Sequence, residues 1–416
     1  MYVEHLSLSG FRSYEQLDVA IEPGVTVFVG ANGVGKTNIV EAIGYLATLS
    51  SHRTAMDRPL VAFGHERAII RGKLVRGTQR TSVEVEINVD TANRARINRA
   101  NPVRARDAAG ILRSVLFAPE DLSLVKAEPS VRRRYLDEVL VALVPHHASL
   151  RTDYERVLKQ RNALLKSARA AGRFSTAHEA TLDVWDQHLV EAGVLLLSAR
   201  LRLVEQLRPL VVRAYGQLTD GSKGVDIRYS SSVSSSGELL MSDDDVGAAL
   251  PVRDEGLTHL TDSELRELFA ADLLRHRRKE LDRGISLVGP HRDELGLTLG
   301  SAPVKGYASH GETWSMAIAL RLASYYLLLE DGRTAGAEPV LILDDVFAEL
   351  DVQRRSRLAA IVGSAEQVLI TAAVVEDIPE TLMGRRISVV PGGIDLQDGF
   401  DGDRGPALPH GEGTDD

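Results

Sequence analysis

Residues 30–37 read GANGVGKT and fit the pattern G-x-x-x-x-G-K-[ST]. The chemistry of such a run is phosphate binding. Gly30, Gly33 and Gly35 let backbone N–H groups curl round phosphate oxygens at the positive end of a following helix. Ala31, Asn32, Val34 and Asn38 complete the loop and the helix start, Lys36 is spaced to reach β/γ phosphates, and the Thr37 hydroxyl is spaced to ligate Mg²⁺. The flanks are those the pattern requires: VTVFV before it has the composition of a strand, and NIVEAIGYLATL after it that of a helix. A second group, PVLILDDVFAELD at 339–351, is an apolar strand ending in two carboxylates. Beside the loop, Asp344 is expected to hold Mg²⁺, partly through water, and Asp345 to orient or deprotonate an attacking water. Capping of the next helix is the alternative reading of the pair. Lys36 and Asp345 are therefore the catalytic candidates.

These groups have to be positioned by elements far apart in the chain. The first ninety residues alternate apolar and polar in short runs such as VEHLSLSGF and TSVEVEINVD, which predicts strands. From about Pro129 to Val212 the apolar spacing lengthens to three or four, giving helical runs, the third reaching from Leu182 toward Pro209. After Asp293 the α/β pattern returns, with a helix from near Thr313 between strands ELGLTLG and PVLILDD. The expected architecture is α/β: one ATPase domain from residues 1–120 plus 285–390, interrupted by a mostly helical lobe, 121–284. A flexible insertion near 230–256 and a disordered acidic tail, 391–416, are expected from their Ser, Gly, Pro and Asp/Glu content. No repeat and no sustained heptad pattern is present, so a long coiled-coil arm is excluded.

A third group, SHGE at 309–312, opens the apolar run MAIALRLASYYLLLE. Alone it is a helix N-cap. Its place after the loop and the lobe, with Ser309 preceding Asp344 by 35 residues, matches the S-x-G-[QE] turn of ABC-class P-loop proteins. In that class the turn binds the γ-phosphate of ATP held by a second subunit, so Ser309, Gly311 and Glu312 form an anion site supplied in trans. A two-fold pair would sandwich two ATPs.

Several segments resemble the RecF family of bacterial recombination mediators: LSLSGFRSYEQLDV, GANGVGKTNIVEAI, SSHRT, FAPEDLSLVKAEPSVRRRYLD, VGPHRDEL, ASHGETWSMAIALRLA and LILDDVFAELD, from Met1 to about Pro379. The Walker-type motifs are common to ABC ATPases, whereas APEDL…RRRYLD and GPHRDEL are more specific. The resemblance implies a P-loop ABC-type, SMC-like ATPase head without a coiled coil. It implies ATP-dependent dimerisation and DNA binding, action with RecO and RecR in loading RecA at single-strand gaps, and support of the SOS response. It assigns Gly30 to Asn38 to the phosphates, Asp344 and Asp345 to metal and water, Ser309 to Glu312 to the partner's γ-phosphate, and Glu349 to Asp351 to a D-loop. Arg53 resembles the arginine that SMC-type heads place near the phosphates, and a solvated surface arginine reads equally well. Two positions depart from the ABC pattern. Thr371 stands where transporters carry the switch His, and Glu120 or Asp121 stands where a metal-shell Gln is expected, so hydrolysis is expected to be weak, DNA-stimulated and used as a switch.

The 416 residues carry a formal charge of -9, no cysteine and no apolar stretch long enough for a bilayer, which leads us to expect a cytoplasmic protein without disulfides or thiolate metal sites. Basic clusters nevertheless occur: Arg94, Arg96 and Arg99 with Arg104 and Arg106; Arg132, Arg133 and Arg134; and Arg275, Arg277, Arg278 and Lys279. They suit phosphate contact with duplex DNA or duplex/single-strand junctions, and they equally suit a solvated face. Few aromatics accompany them, so backbone contact is expected over base stacking. Two competing classes are an ABC transporter subunit, which requires LSGGQ and a switch His, and a nuclease, for which His291, Asp293 and Glu294 of GPHRDEL are the available groups.

Overall fold

In the computed structural model, which describes residues 1–171, 176–221, 223–234, 256–331, 336 and 338–395, the alternating runs of the first hundred residues form one antiparallel sheet. A hairpin of β1 (Tyr2–Phe11) and β2 (Tyr14–Ala20) comes first, and β3 (Gly24–Val29) leads through the glycine loop into α1 (Lys36–Thr48). β4 (Arg67–Arg76), β5 (Gln79–Asn88), β6 (Arg94–Ile97) and β7 (Val103–Arg104) extend the sheet in the order β2-β1-β4-β5-β6-β7. Val3, Leu6, Leu8, Ile70, Leu74, Val83 and Val85 are buried beneath it, while Arg71, Lys73 and Arg96 alternate onto the other, exposed face.

The rest of the chain supplies β8 (Ser114–Phe117), α2 (Leu122–Lys126), α3 (Pro129–Leu143), α4 (Ala148–Ala170), α5 (Thr176–Leu218), β9 (Val225–Ser230) and α6 (Asp262–Arg283). β10 (Glu294–Leu299), β11 (Ala302–Pro303), α7 (His310–Glu330), β12 (Val340–Asp344), α8 (Val352–Val362), β13 (Gln367–Ala372), β14 (Arg385–Val390) and β15 (Gly393–Asp395) follow. The second sheet runs β15-β14-β3-β13-β12-β8, parallel except at β15. Both its faces are covered, which is why its strands read as unbroken apolar runs. Phe28, Ile342 and Leu369 join α1 and the first sheet in one core; Val27, Leu341, Leu343 and Ile370 join α7, α8 and the helical lobe in the other.

The structure corrects four sequence expectations. Helix α5 does not stop at Pro209 but passes through it to Leu218. Burial of Leu207, Val211 and Ala214 against the core outweighs a proline penalty of about 3 kcal/mol. Helix α7 starts at His310, three residues before the apolar run suggested. The segment expected to be a flexible insertion begins inside the fold: Ser230, Ser231, Ser232 and Ser234 are buried, and its residues 235–255 lie outside the described residues. Gly393–Asp395 pairs with β14 as β15, so the tail expectation applies only beyond Asp395, outside the described residues.

Those serines are buried because they serve the GPHRDEL turn. Asp293 accepts hydrogen bonds from the Tyr229 hydroxyl (2.7 Å) and from the Ser232 N–H (2.7 Å) and hydroxyl (2.8 Å). His291 Nδ1 lies 2.7 Å from the Tyr154 hydroxyl, and burial pushes its imidazole down to about 3. Glu294 receives Arg132, and the Pro290 carbonyl receives Arg200, which also donates to both oxygens of Asp137. The motif is a polar knot joining α3, α4, α5, β9 and β10. Its His, Asp and Glu are committed to that knot, and no group of three or more His, Asp or Glu among the described residues is arranged to hold a metal. The three GPHRDEL groups that the nuclease reading offered therefore serve the fold.

Candidate nucleotide site

The loop between β3 and α1 is shaped by two glycines with no room for a side chain. A Cβ on Gly30 would stand 2.4 Å from the Val389 carbonyl oxygen, and one on Gly35, at φ +117, would stand 2.6 Å from the Tyr14 hydroxyl. Ala31, Asn32 and Gly33 are exposed at the apex, and Val34 turns back toward the core. Lys36 is buried, its Nζ donating to the Gly30 (2.8 Å) and Ala31 (3.2 Å) carbonyls, so the ammonium is folded back along the inside of the loop. The N–H groups of Gly33 and Gly35 have no partner among the described residues. A cationic side chain and free N–H groups on one concave loop at a helix start form an anion cradle.

Strand order brings the carboxylates to this loop. β13 lies between β3 and β12, with Thr371 in register with Asp344 on one side and Phe28 on the other. Asp344 Oδ1 accepts from the hydroxyls of Thr37 (3.0 Å) and Thr371 (2.6 Å), and the Thr371 hydroxyl accepts the Asp345 N–H (3.0 Å). Thr371 thus fixes both acidic residues where a histidine had been looked for. Asp345 adopts φ +50, a left-handed conformation that Asp tolerates better than most residues. Burial, then the charge of Asp344, pushes its carboxyl above the ordinary range, which makes it a better proton acceptor.

A brace that sequence reasoning missed holds the first turns of α1. The β1–β2 turn supplies Arg12, which donates twice to buried Glu41 (2.9 and 2.6 Å), Ser13, whose hydroxyl accepts from Asn38 (2.9 Å), and Tyr14, packed under Gly35. From the other side Ser51 donates to Glu41, and Arg53 to Asn38 (3.0 Å) and Glu41 (3.4 Å). Arg53 therefore lies at the start of α1, bonded to Asn38 and partly exposed. The FRSY turn and the SHR run were the available signals. Two buried polar atoms here lack a partner among the described residues, the Tyr14 hydroxyl and His52 Nε2, the latter 3.8 Å from Asp344 Oδ2. Such orphans beside an anion cradle and a carboxylate fit a site for a phosphate ester and a hard cation.

The SHGE turn makes its hydrogen bonds elsewhere. Ser309 caps α7 by accepting the Glu312 N–H (3.3 Å) while Glu312 accepts the Ser309 N–H (2.8 Å) and the Lys223 ammonium (2.6 Å). Lys223 first, then the Ser309 N–H, hold the Glu312 carboxyl down at about 2. The Arg354 guanidinium covers Gly311, where a Cβ would meet it at 3.0–3.2 Å; it donates to Ser315 (2.9 Å) and pairs with Asp351, the N-cap of α8. The turn and the D-loop are thereby tied together in one subunit.

Asp121 is corrected as a metal-shell candidate. It is buried, caps its own turn through the Ala118 N–H (3.0 Å), and takes both donors of Arg321 on α7 (2.9 and 2.7 Å). Glu120 remains exposed. Arg132 is likewise withdrawn as a DNA candidate: it is buried, with two bonds to Glu294 and one each to the carbonyls of Leu124 and Ala127. Arg133 donates to the Asp293 carbonyl (2.6 Å), and only Arg134 of the triplet is exposed. Successive helical residues point about 100° apart, so three in a row cannot make one patch. Arg277 is taken by Asp183 and Asp186 and Arg275 by Asp272, leaving Arg278 and Lys279 exposed. Arg94, Arg96 and Arg99 do gather, on the outer face of the first sheet with Arg67, Arg71 and Lys73, which sequence distance had hidden.

The profile of the RecF/RecN/SMC N terminal domain family matches residues 2–383. The chain is 63% identical over 401 residues to the DNA replication and repair protein RecF of Arthrobacter sp. (strain FB24), covering 95% of this chain and 99% of that one. It is 53% identical over 397 residues to the RecF of Streptomyces avermitilis, covering 95% and 100%. Among solved structures it is similar to the recombination mediator RecF-ATPrS of the RecFOR pathway, with a TM-score of 0.79, 25% identity and coverage of 95% and 97%. A P-loop α/β head with an inserted helical lobe, matched along nearly its whole length to these proteins, makes the chain a member of the RecF family.

Proposed function

We propose that the protein is an ATP-switched DNA-binding clamp of recombinational repair and replication restart, which dimerises on ATP and helps RecO and RecR load RecA at single-strand gaps in the cytoplasm, supporting the SOS response. The observation that carries the switch is that no hydrogen bond joins the two half-sites among the described residues. The loop, Lys36, Thr37, Asp344 and Asp345 gather on the second sheet, whereas the bonds of Ser309 and Glu312 go to each other and to Lys223. Ser309 and His310 are exposed at the start of α7, and exposed apolar side chains flank the same motifs, Tyr307 at 74% and Val352 at 82%. A second copy would cover them and present its SHGE turn to this subunit's loop.

Bound Mg²⁺-ATP supplies a scissile phosphoanhydride and the charge that draws the two half-sites together. The chain's own residues do the rest. Gly30 to Asn38 would hold phosphates through N–H groups and the Lys36 ammonium, Thr37 and Asp344 would hold the metal, Asp345 would orient and deprotonate water, and Arg53 bonds to Asn38. In trans, Ser309 and the N–H groups near Gly311 take the γ-phosphate. With the short Asp345 as its base, hydrolysis is slow, and the dimer acts as a timer.

DNA contact is assigned to the outer face of the first sheet. Arg67, Arg71, Lys73, Arg94, Arg96 and Arg99 outnumber the acids there, and Glu84, which receives both Arg71 and Arg96, orients two guanidinium groups at once. Such a face meets phosphates and reads shape, not sequence. Sedimentation with Mg²⁺ and no nucleotide, ADP or ATP tests the switch. An ATP-specific dimer lost in Lys36→Met and Ser309→Arg, with tighter duplex binding by the wild-type dimer, is expected; a monomer indifferent to ATP refutes it.

A further inference from the structure

The Nε2 of His52 faces a carboxylate oxygen of Asp344 that receives no hydrogen bond among the described residues. Asp344 Oδ1 receives both threonine hydroxyls, while Oδ2 faces His52 Nε2 across 3.8 Å. The His52 side chain is 13% exposed and its Nε2 is buried without a hydrogen-bond partner among the described residues. The gap is too long for a direct bond and within reach of one bridging oxygen. A buried ring nitrogen is rarely left unpaired without a water, ion or ligand to fill the place.

We propose that His52 is a positioning residue of the metal site: its Nε2 lone pair accepts one proton of a magnesium-bound water whose other proton is donated to Asp344 Oδ2. Two acceptors converging on one water match what a metal-bound water offers, two donors and no free lone pair for a third partner. Mg²⁺ keeps several of its waters and is held by one or two carboxylates with substrate phosphates, so its fixation depends on such outer contacts. The neighbours of His52 carry the contact onward: Ser51 bonds to Glu41, and Arg53 to Asn38 and Glu41, both on the first turns of α1. Thr371 occupies the strand end where a transporter places its histidine; here an imidazole reaches the same carboxylate from the loop after α1. This rests on the reading of Thr37 and Asp344 as the groups that hold the metal.

The test is ATP binding by the full chain, by calorimetry, with Mg²⁺ and with EDTA, taking the ratio of the two dissociation constants. In His52→Phe, which fills the space without an acceptor, the Mg²⁺ enhancement should fall about ten- to a hundredfold while binding in EDTA stays as in wild type. His52→Asn, which offers a carboxamide oxygen, should restore part of it. Asp344→Asn should abolish it. If Asp344→Asn abolishes the enhancement and His52→Phe leaves it intact, His52 is packing and the inference is wrong. Equal loss in Mg²⁺ and in EDTA for His52→Phe also overturns it, because it marks a structural role. An enhancement that survives Asp344→Asn instead removes the metal-site reading on which the inference rests.

Discussion

Arg132 gives the sharpest test of structural against nucleic-acid roles for the basic residues. Its guanidinium makes four bonds inside the protein, to Glu294 at 2.7 and 2.6 Å and to the Leu124 and Ala127 carbonyls at 3.0 Å each. Arg132→Met removes the ion-pair partner of the buried Glu294 carboxylate, a loss of about 3–5 kcal/mol, and Glu294→Met leaves the cation stranded at similar cost. Removing both with methionine eliminates the desolvation of two charges and leaves two carbonyls short of a donor, at about 1–3 kcal/mol each at most. The double variant should therefore be more stable than Arg132→Met, which loses the same two carbonyl bonds and also strands Glu294, with a coupling energy of about 2 kcal/mol or more. Urea unfolding followed through Trp314, buried in α7, measures this, and duplex binding by the folded double variant should equal wild type. An Arg132→Met protein that keeps its stability to within about 1 kcal/mol and loses DNA affinity would refute the assignment.

Three further outcomes follow from the geometry. Replacing Arg94, Arg96 and Arg99 by alanine should weaken duplex binding alike across sequences and reduce the slope of log K against log salt by about 0.9 for each phosphate contact removed, as measured by fluorescence anisotropy at several salt concentrations. Glu312, held down at about 2 from an ordinary 4.5 by Lys223 and the Ser309 N–H, contributes stability that is present above pH 4.5 and lost as pH falls toward 2. In Lys223→Met the Glu312 carboxyl, followed by carbon-13 NMR, should titrate higher and that pH dependence should shrink. Asp345→Asn retains the N–H bond to Thr371 and should bind ATP as wild type, hydrolyse it at least tenfold more slowly and dissociate more slowly as a dimer, which turnover and sedimentation together will show.

The phosphate loop and its carboxylates were legible because their chemistry is encoded locally: GANGVGKT sits between an apolar strand and a helix, and Asp344 at the end of one. The assembly of one sheet from both chain ends was legible because strands alternate with helices on either side of the helical runs. What was not legible depends on partners distant in sequence. Nothing near RRRYLD says that Arg132 meets Glu294, and nothing in SSSVSSS says that Ser232 will satisfy Asp293. Asp121 looked like a metal-shell group until the fold placed Arg321 against it. His52 and Tyr14 lie beside residues that were noticed, and only the packing of the β1–β2 turn and the loop after α1 on the phosphate loop shows them as part of the site. Pro209 reads as a stop by propensity, and burial on both sides of it overrides that.

The order of the second sheet sets the schedule on which this molecule can come off the ribosome. β3 carries the phosphate loop, yet its two neighbours, β13 and β14, begin at Gln367 and Arg385. The first sheet, with all its strands before residue 105, can pair while synthesis continues; β3 cannot. At about 5–20 residues per second, an apolar strand destined for the centre of a parallel sheet waits on the order of 20–70 s for its partners. A nascent chain halted anywhere before β13 holds no nucleotide site and presents two unpaired strand edges, a state suited to chaperone capture or proteolysis. On the function proposed above, ATP binding would report that the chain has been made through β14, and pairing that requires ATP would exclude a copy halted before it.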